Sequence, residues 1–396
     1  MRFRSLVTVS ATSCVLASLA AAVLRCSVPP LPPGPEALPT SARLAGGAVI
    51  AIPPGATVDR AALIASLKEM RFSAVVIQAS ADASGESVAE RVSLAVELQA
   101  ALGSSVFVGG YQSAAWNGLP IDALLQTDAS FRACYPGGPT LDAAAPVIDK
   151  LRICAADIGQ RIADELARVA ASPRIGCYVT HQPQLADGLG DAGGTKLHDF
   201  FRDASSACTK ASRPVAVSPI LPAQLGAPAA ASAELGGALA GLGISLIILE
   251  DGVGRFQPDG AHRATKFYDA LRVALEDGTL AVWANVQAFD CASEAGCDGT
   301  RPTTSARFDN RVCGARNRAD GIIASEYLRH LAGRPIVTGG LGGLDASSDA
   351  ALDDFDAAAQ LRSGYLAWVD AGASCVIAAA DEADASARAD AAAEAP

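Results

Sequence analysis

Short apolar runs alternate with Ala-rich amphipathic stretches along most of the chain. Eight of the runs are predicted to be strands, at residues 48–52, 74–79, 105–111, 174–180, 215–219, 244–250, 280–286 and 335–338. Most of them are continuously apolar rather than alternating, which is typical of parallel strands that are covered on both faces. The pattern therefore predicts a parallel sheet whose strands are connected by helices.

The stretches between the runs have the three-to-four-residue spacing of amphipathic helices. One apolar stripe consists of Val88, Val92, Ala95, Leu98 and Leu102, a second of Ile158, Ile162, Leu166 and Val169, and a third of Ile323, Tyr327 and Leu331. Glycines that could end helices in a left-handed conformation follow at positions 103, 243, 278 and 333. Eight strands alternating with helices predict a single-domain α/β fold, the (β/α)8 TIM barrel. A Rossmann fold is the weaker alternative, because the Gly-rich segment at 339–343 comes too late for a dinucleotide-binding turn.

Both ends of the chain differ from this pattern. Arg2 and Arg4 precede an uncharged run at 6–24, which is typical of a secretory signal or a retained membrane anchor. Cys26 follows, but Arg25 stands where a lipoprotein signal needs a small residue. The predicted organisation is a signal peptide or membrane tether at 1–26, a Pro-rich linker at 27–45, the barrel at 46–380 and an acidic tail at 381–396. An extracytoplasmic location is expected, whether periplasmic, secreted or anchored at the cell surface.

The charge and the cysteine content indicate which classes of ligand and which covalent links to expect. The net charge is −11 and no cluster of Lys and Arg is present, which argues against nucleic acid. Of ten cysteines, eight lie beyond the leader, an even number that predicts disulfides in an oxidising compartment. Cys134 with Cys154, and two of Cys291, Cys297 and Cys313, are close enough in sequence to staple loops. The chain has no Cys-x-x-Cys and its four histidines are widely separated, so no metal or organic cofactor is expected.

The candidate chemistry lies at the barrel mouth, the end of the barrel at which the parallel strands finish. Aromatic rings and amides at the predicted strand ends are candidate substrate-binding groups: Gln78, Tyr111, Trp116, Tyr178, Gln182, Trp283, Asn285 and Gln287. Candidate catalytic groups are Glu250, Asp251 and His181. Rings that stack on sugars, together with amides that bind hydroxyls, predict an oligo- or polysaccharide as the partner. The alternative is that the rings only fill the barrel.

Two segments resemble a known family. Ile-Leu-Glu-Asp-Gly-Val-Gly at 248–254 and Trp-Ala-Asn-Val-Gln-Ala-Phe at 283–289 are similar to a bacterial family of glycosidase-like TIM barrels catalogued as domain of unknown function 4434. Residues 176–182 resemble that family's fourth-strand motif, and Gln78 and Trp116 fall at similar places. The resemblance covers most of 46–370 and implies a (β/α)8 fold with a glycoside-hydrolase-like site. In the family pattern Glu stands where this chain has Gln182 and Gln287.

This departure bears on catalysis, because glycoside hydrolysis usually needs two carboxyl groups and Gln supplies none. Glu250 and Asp251 are adjacent, so at most one faces the mouth, and Asp251 is the favoured choice. A second acid would come from a loop, and each candidate is otherwise a solvated residue: Asp82, Asp187, Asp290 and Asp345. The leading hypothesis is an exported saccharide-binding barrel that has lost hydrolysis, with no obligate protein partner. The alternatives are an active hydrolase that uses Asp251 with a loop carboxylate or His181, and a non-catalytic cell-surface interaction scaffold.

Overall fold

The fold is taken from a computed structural model. It describes residues 45–52, 57–72, 74–78, 86–103, 105–109, 147–181, 195–219, 228–250, 268, 270–271, 273–275, 280–291, 300–316, 319–325, 327–338 and 355–371. Backbone contacts divide the chain into Met1–Glu36 and Ala37–Pro396, and every described residue belongs to the second part. Within these described ranges, no helix is both long and apolar enough to cross a membrane. The predicted leader, linker and acidic tail lie outside the described residues, apart from Ala45 at the end of the linker.

Strands and helices alternate along the described chain. The strands are β1 (Ala45–Ala51), β2 (Thr57–Val58), β3 (Ala74–Gln78), β4 (Val106–Gly109), β5 (Ile175–His181), β6 (Val215–Pro219), β7 (Leu246–Glu250), β8 (Ala281–Gln287), β9 (Phe289–Cys291), β10 (Thr300–Pro302), β11 (Gly321–Ser325) and β12 (Val337–Thr338). The helices are α1 (Arg60–Glu69), α2 (Glu86–Leu102), α3 (Val147–Arg168), α4 (Thr195–Lys210), α5 (Pro228–Leu239), α6 (Ser305–Arg316), α7 (Tyr327–His330) and α8 (Phe355–Asp370).

Eight of the strands form a closed parallel barrel in the order β1-β11-β8-β7-β6-β5-β4-β3. Two further pairs, β10 with β9 and β12 with β2, are antiparallel and lie outside the barrel sheet. The chain is therefore a (β/α)8 TIM barrel, and the predicted fold class is confirmed.

The eighth barrel strand differs from the prediction. It is β11, which pairs with β8 on one side and β1 on the other, whereas residues 337–338 of the predicted run form β12. The predicted helical stripe through Ile323, Tyr327 and Leu331 was wrong at its first member, because Ile323 lies in β11. A stripe of three residues is too short to distinguish a helical period from a five-residue buried strand that is followed by a helix.

The helical pattern at 88–102 is confirmed. The pattern at 158–169 is confirmed for Ile158, Ile162 and Leu166 in α3, whereas Val169 follows the helix and is exposed. Val88, Val92, Ala95 and Leu98 are buried along α2, and Leu102 packs against the same core. Of the glycines predicted to end helices, those at 103, 243 and 333 have φ angles of 70°, 69° and 66°, in the left-handed region. Gly278 lies outside the described residues. The helix α1 begins with Asp59, whose carboxylate accepts a hydrogen bond of 2.9 Å from the backbone N–H of Ala62.

Apolar side chains form two separate clusters. The outer cluster lies between the strands and the helices and includes Ile50, Ile77, Val108 and Val217. The inner cluster lies inside the barrel and consists of Val49, Ala74, Val76, Phe107, Tyr178, Ala216, Leu246, Ile248, Trp283 and Ile323. Because every barrel strand contributes to both clusters by alternation, the strands are covered on both faces, as the continuous apolar runs predicted.

A disulfide joins the barrel to a surrounding helix. Cys177 in β5 is bonded to Cys208 in α4, with a Cα–Cα distance of 6.3 Å, and both residues are buried. Cys313 is disulfide-bonded as well. The presence of disulfides is therefore confirmed. The predicted pairing of Cys134 with Cys154 stays a prediction, because Cys134 and the Cys154 side chain lie outside the described residues.

The contact between β11 and β8 can be tested at a glycine. A Cβ atom at Gly321 would lie 2.7 Å from Cε2 of Trp283, so Gly321→Ala is expected to lower the free energy of unfolding by about 1–3 kcal/mol in a urea titration. The matched control is Gly314→Ala in α6, where the added Cβ meets nothing within 4 Å. This control is expected to raise the free energy of unfolding by about 0.5–1 kcal/mol. Equal stability of Gly321→Ala and the unchanged protein would contradict the observed packing of the indole on β11.

Candidate functional site

The register of the barrel arranges its interior residues in levels. Because the strands of a closed barrel tilt, residues of equal height come from alternate strands, four to a level. The uppermost level whose four backbone positions are all described consists of positions Gln78, Thr180, Glu250 and Ser325, and the level below it consists of Val49, Gly109, Ser218 and Asn285. Lower levels consist of the rest of the inner cluster and of small residues. The interior therefore changes from apolar to polar as it approaches the barrel mouth.

Two amide side chains of the polar levels lack hydrogen-bond partners for their oxygens. Gln78 and Asn285 are only 6% and 5% exposed. In the part of the chain that the structure describes, Oε1 of Gln78 and Oδ1 of Asn285 are buried and accept no hydrogen bond. A buried acceptor without a partner costs about 1–3 kcal/mol, so each of these oxygens is a candidate acceptor for a donor on a ligand.

Two of the predicted aromatic rings lie below these amides. Tyr178 and Trp283 belong to the inner cluster and are 3% and 7% exposed. Trp283 packs against the start of β11, where Gly321 leaves room for the indole. This placement favours the role of filling the barrel, which the sequence left as the alternative to an exposed stacking platform. Whether either ring also touches a ligand stays a prediction.

The last position of β7, residue 250, has a defined parity along the strand. Glu250 has the parity of Leu246 and Ile248, which belong to the inner cluster, and it lies in register with Asn285. The backbone position 250 therefore has the parity of the inward positions of β7. Asp251, the acid favoured from the sequence, lies outside the described residues, so the choice between Glu250 and Asp251 stays a prediction.

The other predicted site residues are described only in part. His181 ends β5 in register with Pro219, and it follows Thr180, so its parity differs from that of Tyr178. Gln287 ends β8 and is fully buried. The remaining candidates lie outside the described residues: Tyr111, Trp116 and Gln182, together with the loop acids Asp82, Asp187 and Asp345.

Asp290 is not the solvated loop residue that the sequence suggested. It lies in β9 and is 3% exposed. Its Oδ1 accepts a hydrogen bond of 2.5 Å from Nη2 of Arg311. Its Oδ2 accepts hydrogen bonds of 2.7 Å from Nη1 of Arg307 and 3.1 Å from Oγ1 of Thr303. The sequence offered one sign of this arrangement, since Arg307 and Arg311 are spaced four apart and so share a helix face.

These contacts set the protonation of Asp290. Burial acts to raise the pKa of this carboxyl, but the hydrogen bonds from Arg311, Arg307 and Thr303, with the charge of Arg311, outweigh burial and hold the pKa below its ordinary value. A carboxylate with a lowered pKa and both oxygens occupied is a poor general acid. Asp290 is therefore a structural ion-pair partner, and it does not supply the second acid that hydrolysis would need.

No group of three potential metal ligands is found among the described residues. The polar levels of the described barrel are instead lined by amides, hydroxyl-bearing residues and one acid position. Such a lining offers hydrogen bonds to a neutral polar ligand.

Comparisons with known proteins found similar chains among solved structures. No protein-family model matches the chain, and no curated protein matches it. Among solved structures, a GH5_18 variant from Streptomyces cattleya in complex with Manb1-4GlcNAc is 15% identical over 67% of this chain and 64% of that chain, with a TM-score of 0.44. The PgaB (BpsB) glycoside hydrolase domain from Bordetella bronchiseptica is 13% identical over 72% of this chain and 94% of that chain, with a TM-score of 0.42.

A third similar structure is a reductase. Morphinone reductase in complex with tetrahydroNAD is 12% identical over 71% of this chain and 84% of that chain, with a TM-score of 0.37. The chain spans slightly less than two thirds of the GH5_18 structure. These identities and TM-scores are too low to carry an argument about chemistry. The assignment of the fold rests on the strand order of the barrel itself.

The burial of the Asp309 carboxyl group, on α6, can be tested through its titration. Oδ1 of Asp309 is buried and has no hydrogen-bond partner among the described residues, and burial raises the pKa of this carboxyl to about 6. The folded protein therefore binds a proton at Asp309 more tightly than the unfolded chain does between pH 4 and pH 6. Stability from this group is present below the ordinary pKa and is lost as the pH rises through the raised value.

Asp309→Asn is consequently expected to stabilise the protein more at pH 8 than at pH 4. The difference between the two pH values is expected to be about 1–2 kcal/mol, since one pKa unit corresponds to about 1.4 kcal/mol and Asp309 is partly solvated. Urea unfolding at the two pH values measures it. Asp356→Asn on the exposed side of α8 controls for the loss of one negative charge. The same stability change at both pH values would show that Asp309 is ionised freely in the fold.

Proposed function

We propose that the protein is an exported barrel that binds a saccharide at its mouth and lacks two-carboxylate hydrolysis. The observation that carries this proposal is the pair of buried amide oxygens, on Gln78 and Asn285, that accept no hydrogen bond from the described residues. They belong to polar levels that lie directly above the apolar inner cluster. Export is part of the proposal and is supported by the leader sequence and by the disulfides.

A saccharide matches the chemistry of these levels. Each hydroxyl of a sugar can donate one hydrogen bond, which is what an unpaired amide oxygen requires. Ser218 and Ser325 add hydroxyl-bearing residues near the same height. The segments at 248–254 and 283–289, which resemble the glycosidase-like barrels of domain of unknown function 4434, contain the acid at position 250 and the amides Asn285 and Gln287. Membership of that family is part of the proposal.

The number of acids at the described positions supports the proposed loss of hydrolysis. Among the described inward positions of the polar levels, position 250 carries the one carboxyl group. Asn285 and Gln287 occupy the neighbouring strand end as amides, and Asp290 beyond them is committed to two arginines. Hydrolysis requires one carboxyl group to protonate the leaving oxygen and a second to act as nucleophile or base. We infer that the single carboxyl group at position 250 is not sufficient for hydrolysis.

Removal of one acceptor tests binding. Gln78→Met keeps the approximate size of the side chain and removes its amide. The variant is expected to bind the best saccharide from a glycan array at least ten-fold more weakly in calorimetric titration, because a lost hydrogen bond is worth about 1.5 kcal/mol. It is also expected to unfold at a higher urea concentration, because an unsatisfied buried acceptor is gone.

The control for this experiment is Gln160→Met on the exposed side of α3. It should leave affinity unchanged. A Gln78→Met variant that loses stability and keeps full affinity would show that the amide belongs to the packing of the barrel. Failure of the unchanged protein to bind any glycan would favour the interaction-scaffold alternative.

The loss of hydrolysis is tested by turnover. The unchanged protein is expected to release no reducing ends from the saccharide that it binds, and Glu250→Gln is expected to leave this result unchanged. Reducing-end release that disappears in Glu250→Gln or in Asp251→Asn would establish an active hydrolase and identify its acid. Binding of the saccharide by each variant is measured in parallel, so that a lost activity is not confused with lost affinity.

A further inference from the structure

The end of β8 carries two of the amides of the mouth, Asn285 and Gln287. The chain then passes through Ala288 into β9 without an intervening loop. Asn285 is paired with strands on both sides, whereas Gln287 ends the strand. The position of Gln287 relative to the opposite wall of the barrel therefore depends on how this corner, residues 287–290, is held. Backbone hydrogen bonds hold it from two sides: the N–H of Ala288 donates to the carbonyl of Ser325, and its carbonyl accepts from the N–H of Thr303 at 3.0 Å.

Arg311 holds the corner from a third side. Its Nη1 donates hydrogen bonds of 2.8 Å to the backbone carbonyls of Gln287 and Phe289. Its Nη2 donates to Oδ1 of Asp290 at 2.5 Å. One guanidinium group thus binds three successive parts of the corner, and its side chain is only 5% exposed.

Asp290 fixes the guanidinium in turn. Its second oxygen is bound by Arg307 and Thr303, so the carboxylate cannot rotate without breaking hydrogen bonds on both oxygens. Arg307 is half exposed, whereas Arg311 and Asp290 are buried. The charge of the pair is therefore enclosed between α6 and the corner, and the outer arginine connects it to solvent.

A contribution to stability alone does not explain why Arg311 and Asp290 form a buried ion pair. The desolvation of two charges commonly cancels their attraction, and a well-packed apolar pair of similar volume is often as stable or more stable. An apolar pair cannot bind three acceptors, whereas the planar guanidinium fixes them in one geometry. We propose that Arg311 and Asp290 are positioning residues for the end of β8, which place Gln287 in the mouth. The link to ligand affinity rests on the proposed saccharide function.

The first test does not depend on a ligand. Arg311→Lys keeps the charge and loses the planar fork. In native-state hydrogen exchange of the full chain, the amides of Ala288 and Thr303 are expected to exchange at least ten-fold faster in this variant. The amides of Val76 and Val108, in β3 and β4, are expected to exchange at unchanged rates. Unchanged rates at Ala288 and Thr303, or a uniform increase at all four amides, would overturn the proposal.

Two further variants serve as a matched control and as a second test of the same contact. Arg168→Lys, on the exposed ion pair with Glu165, is the matched control and should change none of the four rates. Arg307→Gln removes the half-exposed donor and is expected to accelerate Ala288 and Thr303 in the same direction by a smaller factor. It decides the question if Arg311→Lys does not fold.

The second test concerns affinity. As a single substitution, Arg311→Lys is expected to weaken saccharide binding at least ten-fold. In a protein that already carries Gln287→Ala, it is expected to cause no further loss of affinity, because Arg311 acts through Gln287. Independent losses that multiply would overturn the positioning role. If the unchanged protein binds no saccharide, the proposed function fails, while the exchange rates still decide whether the pair positions the corner.

Discussion

Closure of the barrel is the constraint on which the rest of the structure depends. A closed parallel sheet has no free edge, and its tilt assigns a fixed height to every inward residue. The inner cluster fills the lower heights with Trp283, Tyr178 and branched side chains. The polar residues above it cannot move down into this packing. The amides at the mouth are consequently held by the same geometry that forms the core, and their spacing follows from the register rather than from local loops.

The sequence predicted the fold from continuous apolar runs, and those runs also limited what it could predict about the site. In β7 the residues 246–249 are all apolar, so no alternation in the sequence shows which parity faces inward. The sequence alone therefore could not show that Leu246 and Ile248 belong to the inner cluster, which is the observation that gives position 250 inward parity. The strand β11 was missed for a related reason, since its buried run is short and is followed directly by a helix.

The contacts of Asp290 were beyond the sequence because they join residues that are 13–21 positions apart through tertiary packing. A single acid after a strand is normally solvated, and only the fold places α6 against it. By contrast, the amides Gln78 and Asn285 could be predicted, because each occurs near the end of an apolar run. What the sequence could not show is that their oxygens are buried without partners among the described residues, a stability cost that natural proteins tolerate at functional sites.

Because of the disulfide between Cys177 and Cys208, the free energy of unfolding of the barrel depends on the redox state of its surroundings. It closes a loop over a sequence separation of 31 residues, and the chain-entropy model assigns such a loop about 3–4 kcal/mol of stabilisation. The reduced protein therefore has a lower free energy of unfolding. The chain is less stable while these two thiols are reduced, and it gains stability when they are oxidised to the disulfide. The same covalent link that braces β5 thus makes the stability of the barrel respond to the thiol oxidants and reductants around it.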